Sequence, residues 1–67
     1  MNAKQYLDKY GKEGAEKVAI KAGTKLSYFL LMAKAIRRPS VELAKRLEKA
    51  SNGEMGWIEL LEVKKVA

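Results

Sequence analysis

Val18-Ala19-Ile20-Lys21-Ala22-Gly23-Thr24-Lys25-Leu26-Ser27-Tyr28-Phe29 is the stretch whose reading decides the fold. Val18, Ala19 and Ala22 make a narrow stripe of small residues on one helix face, and small residues let two helix backbones approach closely. Gly23 ends that helix by taking a left-handed conformation that a side chain disfavours. Six residues on, Phe29 faces inward, and Met32 follows it, so both pin the next helix across Ala19. The outward positions near the start of that next helix remain free. This is the spacing of a helix-turn-helix.

Outward from this stretch the sequence reads as helices. A first helix is expected from Asn2 to Tyr10, with Asn2 as N-cap, Gly11 as stop, and Leu7 and Tyr10 sharing a face with Ala3. The second runs from Gly14 to Ala22. The third runs from Lys25 to about Ala35, with Thr24 as its cap. Arg37-Arg38-Pro39 breaks it, because proline biases the preceding residue out of the α region. Ser40 caps a fourth helix through Ala50, whose apolar stripe is Leu43, Ala44, Leu47 and Ala50. Glu42 lies in its first turn and four residues before Arg46. Ser51-Asn52-Gly53 is a turn cluster, and a short fifth helix covers about Gly56 to Glu62. The expected fold is an all-α, five-helix bundle forming a single domain over residues 1–62. Phe29, Met32, Leu43 and Leu47 lie in its core, and Trp57 forms a lid. Residues 63–67 are expected as a frayed tail, with a terminal strand over Leu61 to Val66 as the alternative.

Composition bounds the function. The chain has 67 residues, room for one small domain. It has no cysteine, which excludes disulfides and thiolate metal sites, and no histidine, which removes the usual general base and the commonest transition-metal ligand. A Ser–His or zinc-dependent enzyme is thereby excluded. No paired-carboxylate site is arguable from Asp8, Glu13 and Glu16, and no glycine-rich phosphate loop follows a strand. No enzyme, metal or cofactor is therefore expected. The longest apolar run, Tyr28 to Ala33, falls far short of a membrane span, and the N-terminal residues open no signal-peptide core.

The net charge of +6 is unevenly placed. Residues 1–39 hold nine Lys/Arg against three Asp/Glu, whereas residues 40–67 hold five of each. From Lys17 to Val41 there is no acidic residue, while Lys17, Lys21, Lys25, Lys34, Arg37 and Arg38 fall inside that span. Such a block is the electrostatic footprint of polyanion binding. The plainer alternative is a solvated face that only aids solubility.

The run Val18 to Phe29, with its continuation Arg37-Arg38-Pro39-Ser40-Val41-Glu42-Leu43-Ala44-Lys45-Arg46-Leu47-Glu48-Lys49-Ala50, resembles the helix-turn-helix of the phage Cro and repressor family. The resemblance covers about residues 14–62. It implies a five-helix bundle that binds double-stranded operator DNA as a transcriptional regulator, commonly as a homodimer. The location it implies is the cytoplasm of a bacterial host, at the nucleoid, with no membrane and no small-molecule substrate. Carried over by position, Leu26, Ser27 and Leu31 take the base-facing slots of the third helix. Thr24, Lys25 and Tyr28 lie beside them near the phosphates. Gly14 and Ala15 would present backbone N–H groups to a phosphate, and Lys34, Arg37 and Arg38 would touch the DNA backbone.

This sequence departs from the family pattern at two points. Leu26 and Leu31 stand where members often carry polar residues such as glutamine, and a leucine can only pack on a thymine methyl. Ala35 stands where members often have glycine. The alternative function on the same fold is a protein-interaction module whose contact patch is Leu26, Leu30 and Leu31. A cationic membrane-surface protein is a third reading, against which the capped, compact pattern argues. Tyr28 also reads as a cover for the edge of the bundle, and Ser27 as a plain surface serine.

Overall fold

The structure, a computed structural model, describes residues 1–62. It is all-α, with no strand among the described residues. Four helices follow in order: α1 (Ala3–Lys21), α2 (Leu26–Ala33), α3 (Val41–Ala50) and α4 (Trp57–Leu61). The tail expected at 63–67 lies outside the described residues, as does the alternative strand beyond Glu62, and Leu61 belongs to α4.

The first two expected helices are one element. Asn2 opens it with a reciprocal cap, its Oδ1 accepting from the Gln5 N–H at 2.8 Å while Gln5 Oε1 accepts from the Asn2 N–H at 2.9 Å. Gly11 interrupts it with φ 72° and ψ −175°, a region essentially reserved for glycine. The interruption is a single residue, and helix resumes at Lys12 rather than at Gly14. Lys12 and Glu13 are good helix formers, so nothing prolongs the break. Gly14 lies hard against the Tyr10 side chain, which leaves no room for a Cβ.

α1 ends at Gly23 in a Schellman motif: the Thr24 N–H reaches the Ala19 carbonyl at 2.9 Å and the Gly23 N–H reaches Ile20 at 3.0 Å. Gly23 has φ 86°. Thr24 therefore does not cap α2. The N-cap is Lys25, without a side-chain cap bond. α2 is shorter than expected and closes by the same motif. Ile36 N–H bonds Leu31 at 3.0 Å, Ala35 N–H bonds Met32 at 3.0 Å, and Ala35 sits at φ 60°. Ser40 caps α3 as expected, its Oγ accepting from the Leu43 N–H at 3.1 Å. A third Schellman motif ends α3, with Asn52 at φ 55° and a 2.8 Å bond from the Gly53 N–H to Glu48.

α2 packs chiefly on α1, and α3 on α4 and α1. Ala15, Ala19, Phe29, Ala44, Leu47 and Met55 have no exposed surface. Ala19 is thus as covered as its small size predicts, and Phe29, Met32 and Leu47 are core as expected. Leu43 and Trp57 are half-buried against that core. Tyr6, rather than Leu7 and Tyr10, is the buried side chain beside Ala3. Its ring meets Phe29 edge-on at 6.2 Å and Tyr10 at 4.5 Å.

The loop from α3 to α4 is tied down from inside. The buried Ser51 hydroxyl donates to the Glu48 carbonyl and accepts from the Met55 N–H. Glu48 Oε2 accepts from the Trp57 N–H at 3.1 Å, supplying the start of α4 with an acceptor. Glu54 joins this loop to α1. Its carboxylate receives the Tyr10 hydroxyl, at 2.6 Å to Oε2, and the Lys9 ammonium at 3.4 Å.

Candidate nucleic-acid interface

α2 presents two different sides. Phe29 and Met32 are buried in the core, which fixes the rotation of the helix. Ser27 and Leu31, four residues apart, and Lys34, three further, then share the opposite side. Ser27 and Lys34 are exposed. Leu31 is half-buried and stands outside the set of side chains packed on the core. Leu26, the third residue expected to face bases, is half-buried and packs against the core, because it lies one turn before Phe29. Leu30 lines a groove of about 570 Å³ that also borders Leu7, Asp8, Pro39 and Glu59.

The residues expected near phosphates fall into three groups. Lys25, Lys34, Arg37 and Arg38 are exposed. Thr24 is half-buried, and its N–H is committed to the α1 cap. Tyr28 packs against the core and donates its hydroxyl to the Arg38 carbonyl at 3.4 Å, tying the Arg37–Arg38 loop to α2. Gly14 is half-buried. Ala15 has no exposed surface, backbone included, so its N–H cannot meet a phosphate. The reason is the early restart of helix at Lys12, which carries Ala15 into the packed part of α1.

The start of α2 has its own polarity. The Phe29 N–H is the first to find a carbonyl, that of Lys25. Among the described residues, the N–H groups of Leu26, Ser27 and Tyr28 have no acceptor, and no acidic side chain occupies the first turn. These orphan donors, with the helix dipole, favour an anion at this end.

The charge arrangement reinforces this. Three ion pairs form among the described residues: Met1 N-terminus with Glu59, Lys9 with Glu54, and Arg46 with Glu42. None of them involves Lys17, Lys21, Lys25, Lys34, Arg37 or Arg38. Glu42, the first acid after the basic block, is held by Arg46. The most engaged acid, Glu54, lies in the α3–α4 loop. Its carboxyl is held below the ordinary value, chiefly by the Tyr10 hydrogen bond and further by Lys9.

Three contributors escaped the sequence reading. Arg46 Nη1 comes within 3.7 Å of where a Cβ on Gly23 would stand, so a guanidinium borders the turn. Its spacing from Glu42 signalled only an intrahelical pair. Ile36 and Val41, on either side of Arg37–Ser40, are at least half exposed, and nothing in their local pattern marks them as outward.

No family model, curated protein or solved structure matches this chain. No described helix is long and apolar enough to cross a membrane.

Proposed function

We propose that this chain is a sequence-specific double-stranded DNA-binding transcriptional regulator, similar to a Cro-like phage or prophage repressor. In this reading the part of α1 after Gly11 and the whole of α2 are the helix-turn-helix, and α2 enters the major groove. Ser27 and Leu31 meet base edges. Lys25, Lys34, Arg37 and Arg38 clamp phosphates, and the uncapped start of α2 adds backbone donors. The chain works in the bacterial cytoplasm at the nucleoid, as a homodimer on a two-fold operator.

One observation carries the reading: exposed cations, in no ion pair among the described residues, flank both ends of a helix whose rotation is locked by Phe29 and Met32. The rival reading, an interaction module built on Leu26, Leu30 and Leu31, has less to stand on. Of those three side chains, Leu26 packs against the core and Leu30 lines the groove beside α1.

Selection of preferred duplexes from a random pool tests the proposal. A palindrome with half-sites one helical turn apart, roughly 34 Å, is the expected result. Affinity should fall steeply with salt, with a log–log slope of about −0.9 per phosphate contact. Recovery of no preferred sequence, with binding indifferent to salt, would overturn it.

A further inference from the structure

We propose, building on the DNA reading above, that α2 reads its site through the C5-methyl group of a pyrimidine. The duplexes this chain prefers then carry thymine or 5-methylcytosine where Leu31 makes contact.

The first ground is what α2 lacks. Its residues, Leu26 to Ala33, include no Asn, Gln, Arg, Asp or Glu, the side chains that make bidentate or donor-specific contacts to base edges. Tyr28 has a hydroxyl, but it is engaged by the Arg38 carbonyl. Ser27 is then the one free hydrogen-bonding side chain within α2, and a serine hydroxyl serves donor and acceptor edges alike.

The second ground is what α2 offers. Leu31 lies one turn after Ser27 on the same side, partly exposed and outside the packed core. The exposed Ile36, whose N–H donates to the Leu31 carbonyl, adds apolar surface at that end of the helix. An apolar outer side flanked by Lys25, Lys34, Arg37 and Arg38 fits a polyanion that displays an apolar group. In the major groove the thymine methyl is that group. Cytosine methylated at C5 places the same methyl on the same ring carbon, so a leucine contact accepts either base.

The test varies the DNA and leaves the protein intact. In the selected duplex each thymine is replaced in turn by uracil, by cytosine and by 5-methylcytosine, with the complementary base opposite. At one position per half-site, uracil should weaken binding about fourfold, the equivalent of about 0.8 kcal/mol for one methyl-sized group. There, 5-methylcytosine should bind about fourfold tighter than cytosine. Leu31→Ala should abolish both methyl effects while leaving the salt slope unchanged. If salt-dependent, sequence-preferring binding persists but uracil is neutral at every position, the methyl inference is wrong and the DNA reading survives. If no duplex binds with a salt slope, both are wrong.

Discussion

Ala35→Gly should stabilise the domain. Three helices end in the same hydrogen-bonded motif, and the residue in the left-handed position is Gly23 in the first, Ala35 in the second and Asn52 in the third. Glycine is the usual occupant and asparagine is tolerated, whereas alanine meets the full conflict between Cβ and the following carbonyl. That conflict costs about 1–2 kcal/mol. Two terms oppose the gain from relieving it. The unfolded chain gains conformational freedom with glycine, about 0.5–1 kcal/mol, and the half-buried Ala35 methyl loses a few tenths of the ~0.8 kcal/mol that full burial confers. The remainder is about 0.5 kcal/mol in favour of glycine. For a domain of this size it raises Tm by about 2–4 °C. Urea and thermal melts read it, with m unchanged. A lower midpoint would show that residue 35 does not sit at positive φ and that α2 ends elsewhere.

Gly23→Val should destabilise by about 1–3 kcal/mol through backbone strain. The nearest atom to an added Cβ, Arg46 Nη1, stands 3.7 Å away, so an unchanged melting midpoint would sink the left-handed turn itself. Arg37→Ala with Arg38→Ala should weaken all duplexes about equally and reduce the salt slope by roughly two; a changed sequence preference with an intact slope would mean that these arginines read bases. Glu54 is held below its ordinary value of 4.5, first by Tyr10 and then by Lys9. Its ionised form therefore contributes stability above that pH, and the contribution is lost as pH falls through the depressed folded value. Glu54→Gln should flatten this acid limb in pH-dependent melts, and an unaltered limb would remove Glu54 as its source.

The sequence discloses the fold wherever a local signal coincides with a global need. Asn2 and Ser40 cap helices because their side chains reach the N–H three residues on, and Gly23 ends α1 because nothing else in that stretch tolerates positive φ. The signal fails where two local answers are equally good. Ala3, Leu7 and Tyr10 make one helical face, and Ala3 with Tyr6 makes another. Only the rotation of α1 against Phe29, a residue of another helix, chooses Tyr6. Ala35 misleads for the opposite reason: it is the best of helix formers in the interior, yet here it stops a helix, with Arg37-Arg38-Pro39 marking the break too late. Met55 and Ser51 are buried inside what reads as a polar turn, where the Ser51 hydroxyl donates to the Glu48 carbonyl and accepts from the Met55 N–H.

The candidate site follows the same logic at finer grain. Its charges are legible because an acid-free run needs no geometry to be recognised. The leucines of α2 are not, because successive residues advance about 100° around the helix and the zero of that rotation is set by Phe29 and Met32. With those two buried, Leu26 falls on the flank of the buried side, and Leu30 and Leu31 lie further round the helix on either side of Ser27. Leu26 closes on the core and Leu30 on the groove beside the first turns of α1. Leu31 lies one turn after Ser27 on the outer side. Of the three leucines, Leu31 is thus the apolar contact beside Ser27 between cations, and the exposed Ile36 adds apolar surface at the same end of the helix. A leucine contact of this kind does not require the ~1,000 Å² of a specific protein interface. It is the right size for a single methyl, provided that Lys25, Lys34, Arg37 and Arg38 supply the affinity from the phosphates on either side.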